Sequence, residues 1–232
     1  MSKKCFVYED EIIEDNQIVP SCPRGNLTAS CVDVSDVKLD LAMLSPRVNS
    51  LCLTAAHGLV LRPNAFKRFS ILEQLHIRYC PRAIHPGAFA GLPNLRLISF
   101  DGHFFKNTAC RSTSVSANAF GQLPSLSELF FYYYNMSAIS TDVFSGIKEL
   151  QHLHFQSCGT EILDIACKTV ELSQSLTSLY VGTDDTVVLG RQHCPRLEDA
   201  STDEHFKTLK RISFVFPGLK SLGECVFKYS VA

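Results

Sequence analysis

The sequence has almost no net charge: 22 Lys and Arg stand against 23 Asp and Glu, a formal charge of -1. Such a balance excludes strong electrostatic attraction to nucleic acid or to an anionic membrane at neutral pH. Eight histidines qualify this, because they add positive charge as the pH falls towards about 5. No apolar run reaches the length of a membrane-spanning helix. The opening stretch, MSKKCFVYEDEIIEDNQIV, turns acidic by Glu9 and builds no apolar core, so it does not read as a secretory leader. Catalytic signatures are missing as well: there is no C-x-x-C pair, H-E-x-x-H helix, Gly-rich phosphate loop or G-x-S-x-G elbow. The expectation is a non-enzyme without cofactors. His152 and His154 alternate along one strand and face the same way, but no Asp, Glu or Cys is placed to complete a metal site, and none is expected.

What is present is apolar and rich in cysteine. The hydrophobic fraction is 46% against 19% charged, enough to bury a sizeable core. Ten cysteines fit an extracellular or lumenal protein better than a cytosolic one. Two glycosylation sequons, at Asn26 and Asn135, count only in the secretory pathway. The cysteines and the missing leader are reconciled if the chain is part of a longer protein.

The organising feature is a repeat. The strand core L-x-x-L-x-L begins at Val48 (Leu51, Leu53), Leu72 (Leu75, Ile77), Leu95 (Ile98, Phe100) and Leu126 (Leu129, Phe131). It begins again at Leu150 (Leu153, Phe155), Leu176 (Leu179, Val181) and Leu209 (Ile212, Phe214). Successive starts lie 24, 23, 31, 24, 26 and 33 residues apart. A second pattern runs in phase with the first: Phe66, Phe89, Phe120, Phe144 and Phe206 each lead into an F-x-x-[LFI]-x-x-L return segment. One such unit cannot bury its own apolar face, so neighbours must stack into a parallel sheet over a continuous core. The expected fold is an α/β solenoid, a leucine-rich-repeat horseshoe with a parallel β-sheet on its concave face and about seven repeats. Residues 1–21 remain an unplaced segment, 22–46 form an N-terminal cap and 47–232 carry the repeats. The third and sixth repeats hold loop-like insertions. A short helix is expected over 162–173.

The exposed apolar end of the first repeat needs a cover, and many extracellular repeat proteins use a short disulfide loop there. Cys22 and Cys31 are expected to pair, with Cys5 a competing partner for Cys22; the sequence alone does not settle the connectivity. Cys80 and Cys158 occupy the ninth repeat position and read as buried free thiols, and Cys167 replaces a core aromatic. Cys110 and Cys194 sit in loops three repeats apart, about 14 Å, too far for a simple bridge.

Residues between the core leucines face the concave surface. The candidate ligand-binding set is His76, Arg78, Phe130, Tyr132, Tyr133, His152, His154 and Tyr180. Exposed aromatics cost free energy and argue for a partner, a protein or microbial ligand; inserted loops or a glycan on Asn135 would cover them equally well. Protonation of His76, His152 and His154 in an acidic compartment would create a site for phosphate groups of a nucleic acid, with the aromatics stacking on bases.

The strings AFAGLPNLRLISF, AFGQLPSLSELFF, VFSGIKELQHLHF and NAFKRFSILEQLHI resemble the extracellular leucine-rich repeats of Toll-like receptors over about residues 22 to 232. Slit-like and small proteoglycan-like proteins use similar repeats. Irregular repeat lengths favour the Toll-like group, as do departures from asparagine at the ninth position: Ala56, His103, Asp184 and Pro217. The resemblance implies a non-catalytic ligand-recognition ectodomain of innate immunity, extracellular or in the endosomal lumen. It also implies dimerisation with a receptor chain and signalling through a separate cytoplasmic domain. Family ligand residues share no motif, so none carries over. The alternatives are a secreted matrix or adhesion protein, or a soluble decoy.

Overall fold

The computed structural model describes residues 5–9, 25–56, 58–102, 113–134, 139, 143–144, 147–156, 175–182, 186–189, 210–215 and 218–222. In chain order the elements are β1 (Cys5–Glu9), β2 (Leu27–Val34), α1 (Val37–Asp40), β3 (Ser50–Ala55), β4 (Val60–Leu61), β5 (Gln74–Arg78), β6 (Ala83–Ile84) and β7 (Leu97–Asp101). They continue as β8 (Ser114–Val115), β9 (Glu128–Tyr132), β10 (His152–Gln156), β11 (Ser178–Gly182), β12 (Thr186–Leu189), β13 (Arg211–Val215) and β14 (Gly218–Leu222). One nine-stranded sheet runs β1-β2-β3-β5-β7-β9-β10-β11-β13, parallel throughout except that β1 is antiparallel to β2. Strands β4-β6-β8 and β12-β14 form two smaller sheets. The fold is a parallel-strand β-solenoid.

The periodicity explains the long sheet. Leu51 and Leu53 lie in β3, Leu75 and Ile77 in β5, Ile98 and Phe100 in β7, and Leu129 and Phe131 in β9; all eight are fully buried. Leu153 and Phe155 repeat the arrangement in β10, and Leu179 and Val181 in β11. Registers keep like over like: Leu75 pairs with Leu51 and Ile98, and Phe131 with Phe100 and Phe155.

The return segments correct one expectation. An α/β alternation is not found: among the described residues the sole helix is the four-residue α1, outside the repeats, with Asp36 accepting N–H bonds from Lys38 and Leu39 at its N-terminus. The segments instead fold as successive tight turns closed three residues back, such as Phe69 N–H to Phe66 carbonyl (2.9 Å) and Leu72 N–H to Phe69 carbonyl (2.9 Å). The reason is local. Asn64, Gly87 and Asn118 each stand two residues before a core phenylalanine in the left-handed conformation (φ 57°, 65° and 58°), as Gly91 does after Phe89 (φ 87°). These residue types reach that region at low cost and interrupt any helix. The turns also bond between neighbouring coils, Asn64 N–H to the Gly87 carbonyl (2.9 Å) and Gly87 N–H to that of Asn118 (3.3 Å). The helix expected over 162–173 lies outside the described residues.

Two phenylalanine columns run along the core. Phe66, Phe89 and Phe120 from the return segments stack at 5.8 and 5.4 Å with planes 7° and 8° apart, and Phe144 follows at 5.6 Å. Phe100, Phe131 and Phe155 from the sheet stack at 4.9 and 5.5 Å. The columns meet edge to face, Phe100 on Phe120 at 5.9 Å and Phe120 on Phe131 at 6.1 Å. Stacked and edge-to-face geometries are the favoured aromatic pairings.

At the N-terminal end, β1 folds back on β2 and places Cys5 opposite Cys31, where the two form a disulfide. The expected Cys22–Cys31 pair is thereby corrected: the cross-strand register, rather than proximity in sequence, selects the partner. Cys80 is also disulfide-bonded and is not a free thiol, and so is Cys52. Cys22, Cys110, Cys158, Cys167 and Cys194 lie outside the described residues.

Phe120 contacts both columns, so Phe120→Ala is expected to lower unfolding free energy by about 3–5 kcal/mol and Phe120→Leu by distinctly less. Denaturant titration followed by circular dichroism measures both. Equal and small losses would show that the columns contribute little.

Candidate functional site

The alternation that buries the core turns the other residues of each strand outward, and the register aligns them in rows across the sheet. One row reads Cys52, His76, Ser99, Phe130, His154, Tyr180 and Ser213 from β3 to β13. The next reads Thr54, Arg78, Asp101, Tyr132, Gln156, Gly182 and Val215. Two features stand out, a cluster of rings over β9 to β11 and a cleft over β7.

The rings form a continuous patch. Phe130 and Tyr132 lie parallel at 6.2 Å on β9, and His154 stacks on Tyr180 at 4.1 Å with planes 9° apart. His154 joins the pairs, 5.0 Å from Tyr132 and 5.8 Å from Phe130. Tyr180 leans along its own strand over Gly182, where a β-carbon would come within 3.0 Å of the ring. Gly182 thus leaves room for the Tyr180 ring, which a β-carbon there would displace by a few tenths of an ångström. All four rings remain partly open to solvent.

The cleft has a volume of about 370 Å³, with His76 and Arg78 on one side, Tyr132 and Tyr133 on the other, and Ser99 and Asp101 between them. It exists because β7 carries short side chains where its neighbours carry long ones. Ser99 separates His76 from Phe130, and Asp101 separates Arg78 from Tyr132. Beyond the strand ends the chain passes through Tyr79, Gly102 and Tyr133, which each continue the ladder: their N–H groups donate to Asp101, Tyr132 and Gln156 carbonyls at 2.9, 2.8 and 2.7 Å. Tyr79 and Tyr133 adopt the left-handed conformation to do so (φ 62° and 58°), a strained state for a bulky residue. Beneath them Tyr134 takes the ninth repeat position. It is fully buried, packs on Phe100 and Phe131, and its hydroxyl donates to the Tyr79 carbonyl at 3.3 Å.

Burial sets the electrostatics. It pushes the His76 pKa down from 6.5 to about 4, with the Arg78 charge adding to the effect. Burial also lowers that of His154, against a Gln156 hydrogen bond that raises it. The Nε2 atoms of both imidazoles, and Oε1 of Gln74, are buried without a hydrogen-bond partner. Burial raises the Tyr132 pKa, helped by Asp101 and Tyr180. An acid switch built on His76 and His154 is thus opposed by their setting: both resist the charge that the sequence suggested they would gain.

Of the residues singled out from sequence, Phe130, Tyr132, His154 and Tyr180 come together in the ring patch, and His76, Arg78, Tyr132 and Tyr133 border the cleft. His152 is exposed and stands in the row between Glu128 and Ser178, apart from both features. Asn26 is exposed in the cap, whereas Asn135 lies outside the described residues. Ser99 carries no signal as a site residue in sequence; only the size of its neighbours across the sheet opens a cleft over it. Tyr134 had a signal, its place at the ninth position. Among the described residues no three His, Cys, Asp or Glu side chains gather as metal ligands, and no helix is long and apolar enough to cross a membrane.

The His76 pKa is lowered in the folded state, so the unfolded chain takes up its proton first as the pH falls. The stability involved is present above pH 6.5 and is lost progressively towards about pH 4, a loss of up to about 3 kcal/mol. His76→Gln is expected to flatten this part of the stability–pH curve. In the native wild type, NMR should find His76 neutral at pH 5.5; an imidazole half-protonated near pH 6.5 contradicts the burial argument. No family model matches the chain, and comparison with curated proteins returns no match.

Proposed function

We propose that this chain is a non-catalytic ligand-recognition module, a stretch of a Toll-like pattern-recognition ectodomain. In this reading the solenoid is a leucine-rich-repeat horseshoe of about seven repeats with its long sheet on the concave side. The observation that carries the reading is the patch of Phe130, Tyr132, His154 and Tyr180, four rings in mutual contact on the open face of the sheet. A solvent-facing row of a sheet gains nothing from such residues unless a partner removes them from water, and buried aromatics dominate binding energy where interfaces have been dissected. The frame behind them is a rigid ladder, so the rings are held in place before the ligand arrives and little ordering cost remains on binding.

Redox state supports the setting. All four cysteines among the described residues, Cys5, Cys31, Cys52 and Cys80, are disulfide-bonded. Disulfides persist in extracellular and lumenal compartments, which accords with an ectodomain and with a usable sequon at exposed Asn26. The neutral imidazoles of His76 and His154 favour ligands recognised by stacking and apolar contact over recognition of phosphate groups by protonated histidine.

The test is binding of the secreted, oxidised protein to a defined panel by biolayer interferometry: a diacylated lipopeptide, a peptidoglycan fragment, a single-stranded oligonucleotide and a β-glucan. At least one should bind with micromolar or tighter affinity, and the Phe130→Ala/Tyr180→Ala variant should weaken it at least tenfold while retaining the wild-type circular dichroism spectrum. No binding to any member, or binding indifferent to the variant, overturns the proposal.

A further inference from the structure

The near-neutrality of the whole chain conceals a segregation of charge. Between Leu41 and Phe100 seven residues are Lys or Arg and Glu73 alone is acidic, a formal charge of +6. The rest of the chain, with 15 basic residues against 22 acidic ones, carries -7. The fold gathers part of the basic excess on the small sheet β4-β6-β8 and the turn that follows β4. Leu61 and Ile84 pair in register between β4 and β6, and both are buried. Arg62 and His85 come one residue later; both are exposed, and alternation turns them outward side by side. The His85 N–H fixes this pairing by donating to the Leu61 carbonyl at 2.9 Å. Arg82, also exposed, enters β6 with its N–H on the Leu59 carbonyl at 2.6 Å. Exposed Lys67 lays its stem over Gly91 of the next coil, where a β-carbon would come within 3.0 Å of Cγ.

These cations have no internal partner. Among the described residues Arg62, Lys67 and Arg82 make no ion pair and no side-chain hydrogen bond. Arg68, by contrast, is committed to the carbonyls of Leu41, Ala42 and Leu44. The acidic residues of the preceding cap, Asp36 and Asp40, accept backbone N–H bonds within the cap. Glu73 stands beside Arg96 at the entry to the long sheet. Like charges held on coils about 4.8 Å apart repel one another, and an anion spanning the coils relieves all of them together.

We propose that Arg62, Lys67, Arg82 and His85 form a binding surface for a linear sulfated polysaccharide. An arginine fork grips an oxyanion group through two parallel N–H bonds, and lysine adds a point charge. The outward row passes from Arg62 through His85 to Ser116, which adds a neutral hydroxyl on the third coil. Bases have nothing to stack on here, because Phe66, Phe69 and Phe89 are fully buried. No large exposed apolar side chain lies on the small sheet or between Arg62 and Lys67, so a lipid surface finds no wedge. The disulfide bonding of Cys5, Cys31, Cys52 and Cys80 accords with an extracellular or lumenal setting, where sulfated polysaccharide is a prevailing linear polyanion. Leu61 and Ile84 pack into the same core as the leucines of the long sheet, so the two sheets turn their outward residues to different sides. The site is therefore independent of the ring patch.

Biolayer interferometry of the intact oxidised protein against a heparin octasaccharide tests the assignment. At about 0.15 M ionic strength the octasaccharide should bind with micromolar or tighter affinity, and raising the salt to about 0.5 M should weaken it at least tenfold. A hyaluronan octasaccharide, which carries carboxylates and no sulfate, should bind at least tenfold more weakly. Arg62→Gln/Arg82→Gln should cost at least tenfold, whereas Arg96→Gln/Lys210→Gln, which removes the same charge elsewhere, should cost less than twofold. Phe130→Ala/Tyr180→Ala should leave octasaccharide binding unchanged. If the Arg62/Arg82 variant loses the wild-type circular dichroism spectrum, Lys67→Gln takes its place, with an expected loss of at least threefold. Absence of octasaccharide binding, an equal loss in the Arg96/Lys210 variant, or tighter binding of a DNA duplex or phosphatidylserine vesicles overturns the proposal.

Discussion

Everything in this molecule depends on like residues lying over like in a parallel stack. A leucine, isoleucine, phenylalanine or valine in one coil is covered by its counterpart in the next, and the two phenylalanine columns lock the coils edge to face. Because side chains alternate strictly along a strand, a slip of one residue would turn the sheet phenylalanines Phe100, Phe131 and Phe155 to solvent. The core therefore fixes the register, and the register in turn fixes which outward residues become neighbours. His154 touches Phe130 and Tyr180 because Leu153 is held between Leu129 and Leu179.

The regularity changes character along the outward row of the sheet. The outward row is small at Ser99, aromatic at Phe130, His154 and Tyr180, and small again at Ser213. A uniform row would offer a flat surface. The change from short to long side chains makes a cleft at one boundary and a ring patch beyond it. Backbone strain gathers at the same place, for Tyr133 borders the cleft and Tyr79 directly follows its wall residue Arg78, both in a conformation that residues of their size rarely adopt. Their extra ladder bonds and the buried Tyr134 hydroxyl hold them there, so the strain is compensated by the same network that shapes the walls.

The end of the stack is managed differently. A parallel sheet cannot close its own edge with another parallel strand without a further coil. Here β1 runs antiparallel along β2 and is joined to it by the Cys5–Cys31 disulfide. Arg68 reinforces the cap by donating from its guanidinium to the carbonyls of Leu41, Ala42 and Leu44, closing the turn after α1 against the first return segment. The apolar end is thus covered by backbone pairing and a few directed bonds, with Phe6 and Val7 of the edge strand left facing solvent.

The sequence by itself determined the strand positions, their common inward face and the solenoid. These rest on a local rule repeated many times: residues at fixed spacing along an extended segment share a face whatever lies elsewhere. It also marked most of the aromatic and charged residues of the outer face, by the same alternation. It did not determine that the return segments would be turns, because a three- and four-residue apolar spacing suits a helix until the left-handed Asn64, Gly87 and Asn118 interrupt it. Nor did it determine the partner of Cys31, the neutrality of His76 or the cleft over Ser99. Each of these depends on what an adjacent coil places alongside: an antiparallel strand from a segment with no repeat, a burial that only stacked neighbours create, and long side chains on either side of short ones. Distances along the chain carry no information about such contacts, and tertiary structure alone decides them.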